Sequence, residues 1–295
     1  MLKKIAQILV AITFIISAIL KLNSIDSFEV YIYSFGIFSL NLSFLIARIL
    51  ISIELFLGAI ILIGLYAREA IISALVMMLL FTIFILSLLF GDSKEHCHCF
   101  GDALVMSHTV AILKNIIIIA LLFVSLPKLS IKRKFEKIAF AILFIVSISI
   151  PMIVSPPDSF RMQYYAAKTT YNAEYLDEYI KSNNLSQGKR IISFYGASCR
   201  FCKLAAKKMD VIGSESKNPE IFTCVFWGSE SKIQSFFDIT NTTVIPYKTI
   251  EVGEFLKITD GSMPLIVLID NGKVVDKFGY RSIVESDILD FSNSL

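Results

Sequence analysis

Apolar residues dominate the first half of the chain in long uninterrupted runs. A helix needs roughly 20 apolar residues to cross a bilayer, and segments 5–22, 43–66, 70–90, 109–126 and 138–154 approach that length. The last is the shortest. Lys3 and Lys4 precede the first run and no small-residue cleavage site follows Ile19, so it is read as a retained anchor. From Ser155 the pattern changes. Ser155-Pro156-Pro157-Asp158-Ser159 is a linker, and mixed, charged sequence follows. Segment 172–183 places Tyr175, Leu176, Tyr179 and Ile180 on one helical face. Segments 191–195 and 221–227 read as buried strands, and 265–269 and 273–278 flank Asn271-Gly272, a strong hairpin signal. The expected organisation is a membrane domain over 1–130, a fifth span and linker over 131–170, and an α/β domain over 171–295.

Composition sharpens this division. Hydrophobic residues make up 55 % of the 295 and charged residues 18 %, below the ~25 % of a soluble domain, and mean hydropathy is +0.70. The formal net charge of +3 is small and its basic residues are spread around the apolar runs. The lipid bilayer is therefore an expected partner and nucleic acid is not. Lys3, Lys4, Arg68 and the basic stretch 128–137, with Lys132, Arg133 and Lys134, mark the inside loops. Loops 23–42 and 91–108 then lie outside. With five spans the α/β domain also lies outside, and the expected location is a bacterial inner membrane with that domain on the extracytoplasmic side.

Four of five cysteines fall in two close pairs, Cys97/Cys99 and Cys199/Cys202, and Cys224 is left over. Both pairs belong to the face where disulfides persist. In Phe194-Tyr195-Gly196-Ala197-Ser198-Cys199-Arg200-Phe201-Cys202 a strand ends and Cys199 opens a helix. There the helix dipole, unpaired backbone N–H groups and Arg200 all favour a thiolate. Cys199 is the expected attacking sulfur and Cys202 the resolving one. A structural disulfide or a zinc half-site is the competing reading, but no second close pair of ligands stands in this domain. Cys224, mid-strand, reads as a buried apolar residue.

These residues resemble the thioredoxin-like family from about Tyr171 onward: strand, Cys-x-x-Cys helix, strand, then Met263-Pro264 before a hairpin. The resemblance implies a cis Pro264 that, with Met263, holds an extended partner chain. Two positions depart from it. Ser198 stands where the family has Trp, and Ser193 where it has a buried acid.

The second pair lies in His96-Cys97-His98-Cys99-Phe100-Gly101-Asp102 between the third and fourth runs. A Cys-x-Cys disulfide closes a small ring, strained disulfides are more oxidising, and protonated His96 and His98 would favour thiolates. Three His (His96, His98, His108) and two Cys within 13 residues are also a credible soft-metal set, the rival to redox exchange. This stretch, with Ser17–Leu22, Glu54-Leu55-Phe56-Leu57-Gly58 and Lys114-Asn115, resembles the DoxX-like group and particularly the MauE family over residues 1–130. That resemblance implies a four-helix redox-associated membrane module, so the whole chain is expected to be a multi-pass α-helical bundle with one linking span, followed by an α/β thioredoxin-like fold.

Glu54 and Lys114 lie within apolar runs, where charge is costly and often functional. Their depths suggest an ion pair with either a structural or a proton-handling role. Arg48 is expected to snorkel, and Phe28, Tyr31, Tyr33, Phe35 and Phe38 to form an interfacial belt or, alternatively, a quinone pocket. Together the halves suggest a thiol–disulfide relay serving exported, cysteine-bearing client proteins, with a membrane quinone as candidate carrier. An outward-facing reductase of the cytochrome-maturation type and a non-catalytic assembly or metal-binding module are the alternatives.

Overall fold

The computed structural model describes residues 2–90, 97, 99–104, 106–127 and 136–294. Its contacts divide the chain into two units, Met1–Ile32 with Phe44–Pro156, and Tyr33–Ser43 with Pro157–Leu295.

The first unit is built on helices α1 (Leu2–Asn23), α2 (Ile25–Tyr33), α3 (Leu40–Ile63) and α4 (Ala67–Phe90), a short strand β1 (Cys99–Asp102), α5 (His108–Ser125) and α6 (Glu136–Val154). Five of these helices, all but α2, are long and apolar enough to cross a membrane. The described core draws Val10, Ala11 and Phe14 from α1, Leu57, Ile60 and Ile61 from α3, Ala70 to Met78 from α4, and Ile118 and Leu122 from α5. Small residues at Ala11, Ala70 and Ala74 let these helices approach closely. Outward positions such as Ile8, Ile12, Ile16, Leu80, Ile116 and Ile117 stay exposed and apolar, the pattern of helices surrounded by lipid. This is a multi-pass membrane protein. Helix α6 is the least buried of the five and meets α3 through edge-on contacts of Phe140 and Phe144 with Phe56, at 5.1 and 5.5 Å between centroids.

Helix α2 was not visible in the pattern, because its nine residues are shorter than a span. Its aromatics do not form a belt. Phe28 and Tyr31 are buried at 4 % and 5 % exposure, and the Lys21 ammonium lies 5.6 Å from the Phe28 ring.

The second unit continues with α7 (Met162–Lys168), α8 (Ala173–Ser182), β2 (Lys189–Gly196), α9 (Arg200–Glu215), β3 (Phe222–Trp227), α10 (Glu230–Thr240), β4 (Tyr247–Thr249), α11 (Val252–Thr259), β5 (Leu265–Asp270), β6 (Lys273–Phe278) and α12 (Glu285–Asn293). The strands form one sheet in the order β4-β3-β2-β5-β6. Strand β2 runs parallel to β3, with Ser193 opposite Cys224, and antiparallel to β5, with Phe194 opposite Leu265. Every residue from Ile191 to Gly196 is buried, as a central strand requires. Asn271 and Gly272 both have positive φ, 47° and 78°, which a two-residue type I′ hairpin needs. With this strand order and the cysteine helix following the central strand, the unit has a thioredoxin-like fold; the Met263-Pro264 bond is cis.

Asn172 caps α8 by accepting from the N–H groups of Glu174 and Tyr175. Leu176, Tyr179 and Ile180 are buried beneath it, whereas Tyr175, expected on the same face, is 39 % exposed. The angular position of Tyr175 leaves it at the stripe's edge, where Lys257 covers its ring at 5.4 Å. The edge strand β4 escaped sequence reading because it has three residues and no alternation of burial.

Candidate functional site

The sequence Gly196-Ala197-Ser198-Cys199 leads out of β2 into α9. Cys199 is the N-cap residue of that helix, and its sulfur accepts a hydrogen bond from the Cys202 N–H at 3.2 Å. The cap position normally takes a side-chain oxygen; here a thiol occupies it, and a thiolate accepts better. The Cys199 thiol is lowered from its ordinary 9.0 to about 6. The largest cause is the hydrogen bond from the Cys202 thiol, which outweighs partial burial. The backbone N–H groups of Cys202 and Phe201 and the charge of Lys203 add to it.

Cys202, one turn on, is fully buried. Burial first, then its hydrogen bond to Cys199 and the charge on that sulfur, push its thiol up. One sulfur is thus half-exposed and anionic at neutral pH, and the other enclosed and protonated. Arg200, expected to assist the thiolate, is exposed with its guanidinium 5.9 Å from the Phe201 ring. Lys203, which sequence reasoning passed over, is a cation that acts on the sulfur; its position one turn into the helix is the signal that would have found it. Cys224 is buried and burial raises its thiol, which keeps it unreactive.

Cys199 opens onto a cleft of about 870 Å³ lined by Ala197, Ser198, Trp227, Lys232, Glu251 and Met263, among others. Met263 borders this cleft, and both Met263 and Pro264 border a neighbouring hollow of about 260 Å³ with Phe201 and Tyr280. Of the two residues expected to hold a partner chain, Met263 thus shares the cleft of the reactive sulfur and Pro264 lines the neighbouring hollow.

In the membrane unit, Cys97 and Cys99 form a disulfide. Cys97 exchanges two backbone hydrogen bonds with Met106, at 2.9 and 3.2 Å, so the stretch folds back as a small hairpin. It does not lie open at the surface. Cys97 and Cys99 are 0 % and 2 % exposed, packed with Ile85, Met106 and Ala111 and flanked by Phe81, Phe100 and Ile112. His96 and His98 lie outside the described residues. Among the described residues no group of three or more metal-ligating side chains gathers.

Strand β1 docks along α1, and the motif residues explain how. Ser17 Oγ donates to the Cys99 carbonyl at 3.0 Å. Asp102 N–H donates to Ser24 Oγ at 3.0 Å, and Ser27 Oγ to the Asp102 carboxylate at 2.7 Å. Gly101 has φ +59°, and a Cβ there would strike Ser24 Oγ and come within 2.8 Å of the Leu20 carbonyl. Only glycine permits both that backbone conformation and that approach.

The expected Glu54–Lys114 pair is replaced by a different one. Glu54 Oε1 is 2.5 Å from Lys21 Nζ, and Lys21 also donates to Ser17 Oγ at 2.9 Å. Lys114 instead lies over the Phe100 ring at 4.9 Å. Depth in the bilayer aligned Glu54 with Lys114, but azimuth around the bundle turns Glu54 toward α1. Arg48 does not snorkel either. It is 1 % exposed, and it donates to the Glu29 carboxylate, to the Phe44 carbonyl and, at 2.9 Å, to the Ser155 carbonyl.

Residues 1–128 match the family described as methylamine utilisation protein MauE. This stretch is therefore similar to that family. It takes in the Cys97–Cys99 hairpin, the Ser17–Lys21–Glu54 chain and Lys114, and it ends before α6. Over a longer stretch the chain is similar to Protein TlpB of Flavobacterium psychrophilum, 29 % identical in an alignment that covers 84 % of this chain and 83 % of that protein.

Proposed function

We propose that the protein is a membrane-anchored thiol–disulfide oxidoreductase. Its thioredoxin-like domain faces the extracytoplasmic side and exchanges disulfides with exported, cysteine-bearing proteins. The observation that carries this reading is the sulfur of Cys199 capping α9, a thiol at about 6 next to a buried thiol held protonated. In the oxidising direction a client thiolate attacks Cys199 of the Cys199–Cys202 disulfide, and Cys202 leaves and takes a proton. A second client thiolate then attacks the mixed disulfide and releases Cys199, so the client gains a disulfide and the domain two thiols. The Cys199 thiolate next attacks the Cys97–Cys99 disulfide and Cys202 resolves that intermediate, moving two electrons and two protons to the membrane unit. An oxidant of the quinone class would restore its disulfide.

The same pair supports the reverse direction. A half-exposed thiol favoured as thiolate beside a buried, protonated one also suits attack on a client disulfide with Cys202 resolving the intermediate. An outward-facing reductase is therefore the second reading. Thiol trapping of both pairs in cells, in the wild type and in Cys97→Ser, separates the two. Cys199/Cys202 becoming reduced when Cys97 is lost supports the oxidising relay. A pair that stays reduced in both strains supports the reductase. A pair oxidised in both strains overturns exchange between the two dithiols.

A further inference from the structure

We infer that Trp227 determines which clients the Cys199 thiol accepts, by providing an aromatic wall for an apolar side chain next to the client's cysteine. This rests on the oxidoreductase reading and adds a substrate preference to it. Trp227 is the single tryptophan of the chain and the last residue of β3. The position before Cys199, where a thioredoxin-like chain is expected to carry its tryptophan, holds Ser198, which contributes no apolar surface.

The neighbouring strand supplies an indole to the Cys199 cleft instead. Gly196 is in register with Trp227, and the Ala197 N–H donates to the Trp227 carbonyl at 2.9 Å, which clamps the approach to Cys199 against the end of β3. A Cβ on Gly196 would lie 3.4 Å from Cys199 Cβ, 3.4 Å from Met263 Sδ and 3.7 Å from Trp227 Cε3. Thiol, thioether and indole therefore converge on one glycine. The indole rests on Phe255 at 6.1 Å between centroids, yet stays 38 % exposed, an incompletely covered aromatic face beside the reactive sulfur.

The occupant this surface fits is a client polypeptide with an aromatic or large aliphatic residue adjacent to its cysteine. Aromatic faces contribute strongly to recognition when a partner desolvates them. The cleft also carries Glu251 and Glu254 against Lys232, which favours neutral or basic segments over acidic ones.

The test uses the full-length reduced protein in detergent and two neutral peptides, each with one cysteine activated as a mixed disulfide with thionitrobenzoate. One has Phe before the cysteine and the other Ser. The Cys199 thiolate attacks the peptide sulfur, forms the protein–peptide disulfide and expels thionitrobenzoate, which is read by absorbance. Wild type is expected to favour the Phe peptide by about tenfold. Trp227→Ala should lose that preference while its rate of alkylation by iodoacetamide, a small reagent without a ring or a charge, stays within about twofold, and Trp227→Phe should keep most of it. A preference that survives in Trp227→Ala overturns the inference, as does an equal loss on both peptides and on iodoacetamide. If Trp227→Ala does not fold, loss of the preference in Trp227→Phe counts against the inference and its retention for it. Absence of any Cys199 reaction in the wild type overturns the oxidoreductase reading itself.

Discussion

Lys21 Nζ lies 2.5 Å from Glu54 Oε1, joining the end of α1 to the middle of α3, with the two side chains 3 % and 18 % exposed. Ser17 Oγ accepts from the same ammonium and donates to the Cys99 carbonyl, which places the charge two hydrogen bonds from that oxygen. A charge pair inside the bundle is thereby linked to the backbone of the disulfide hairpin.

Breaking a buried pair by removing one partner costs about 3–5 kcal/mol, because an uncompensated charge remains. Lys21→Met should lower the thermal midpoint of the purified protein more than the double variant Lys21→Met/Glu54→Gln does. Thermal unfolding in detergent checks this. Additive losses would show that the two side chains are uncoupled.

The Cys199 thiol at about 6 predicts a pH profile. Alkylation by iodoacetamide should be half-maximal near pH 6 and level off above pH 7. Cys202→Ala, which removes the largest cause of the lowering, should move that midpoint upward. The sign for stability follows. A thiol lowered in the folded state makes the reduced domain more stable as pH rises from about 6 toward the ordinary 9.0, and that gain is lost as pH falls through 6. Denaturant midpoints of the reduced protein at pH 5 and pH 8 give the comparison.

Gly101→Ala places a side chain against Ser24 Oγ and the Leu20 carbonyl and forces a left-handed backbone on alanine, the latter alone costing on the order of 1–3 kcal/mol. The hairpin should leave α1. The expected readout is a Cys97–Cys99 bond that a membrane-permeant phosphine reduces several-fold faster than in the wild type, followed by gel-shift alkylation. An unchanged reduction rate would mean that the docking on α1 does not protect the bond.

Arg48 donates to a carboxylate and to two backbone carbonyls in a buried setting. A guanidinium serves three acceptors at fixed angles and an ammonium does not. Arg48→Lys should therefore recover little of the stability lost in Arg48→Ala, which is expected at about 3 kcal/mol or more. Equal midpoints for wild type and Arg48→Lys would reduce the role of Arg48 to its charge.

Much of this architecture is written locally. The apolar runs define the spans because length and hydropathy alone decide them, and Asn271-Gly272 defines its hairpin because both residues tolerate positive φ. The place of Cys199 at a helix start follows from the strand and turn before it. What escapes sequence reading depends on rotation about helix axes and on distant pairing. Glu54 pairs with Lys21 rather than Lys114, Arg48 turns inward to Glu29, and Trp227 comes to line the Cys199 cleft across a strand pair whose register no local pattern encodes. The enclosure of Cys97 and Cys99 belongs to the same class, because it takes Ile85 of one helix and Ala111 of another to close over them.

That enclosure turns into a clock. A disulfide that no reagent can touch in the resting bundle reacts only during an opening of the hairpin, so its reduction rate should climb with reductant and then level off. At the plateau the speed belongs to the helices, whatever the strength of the attacking thiol.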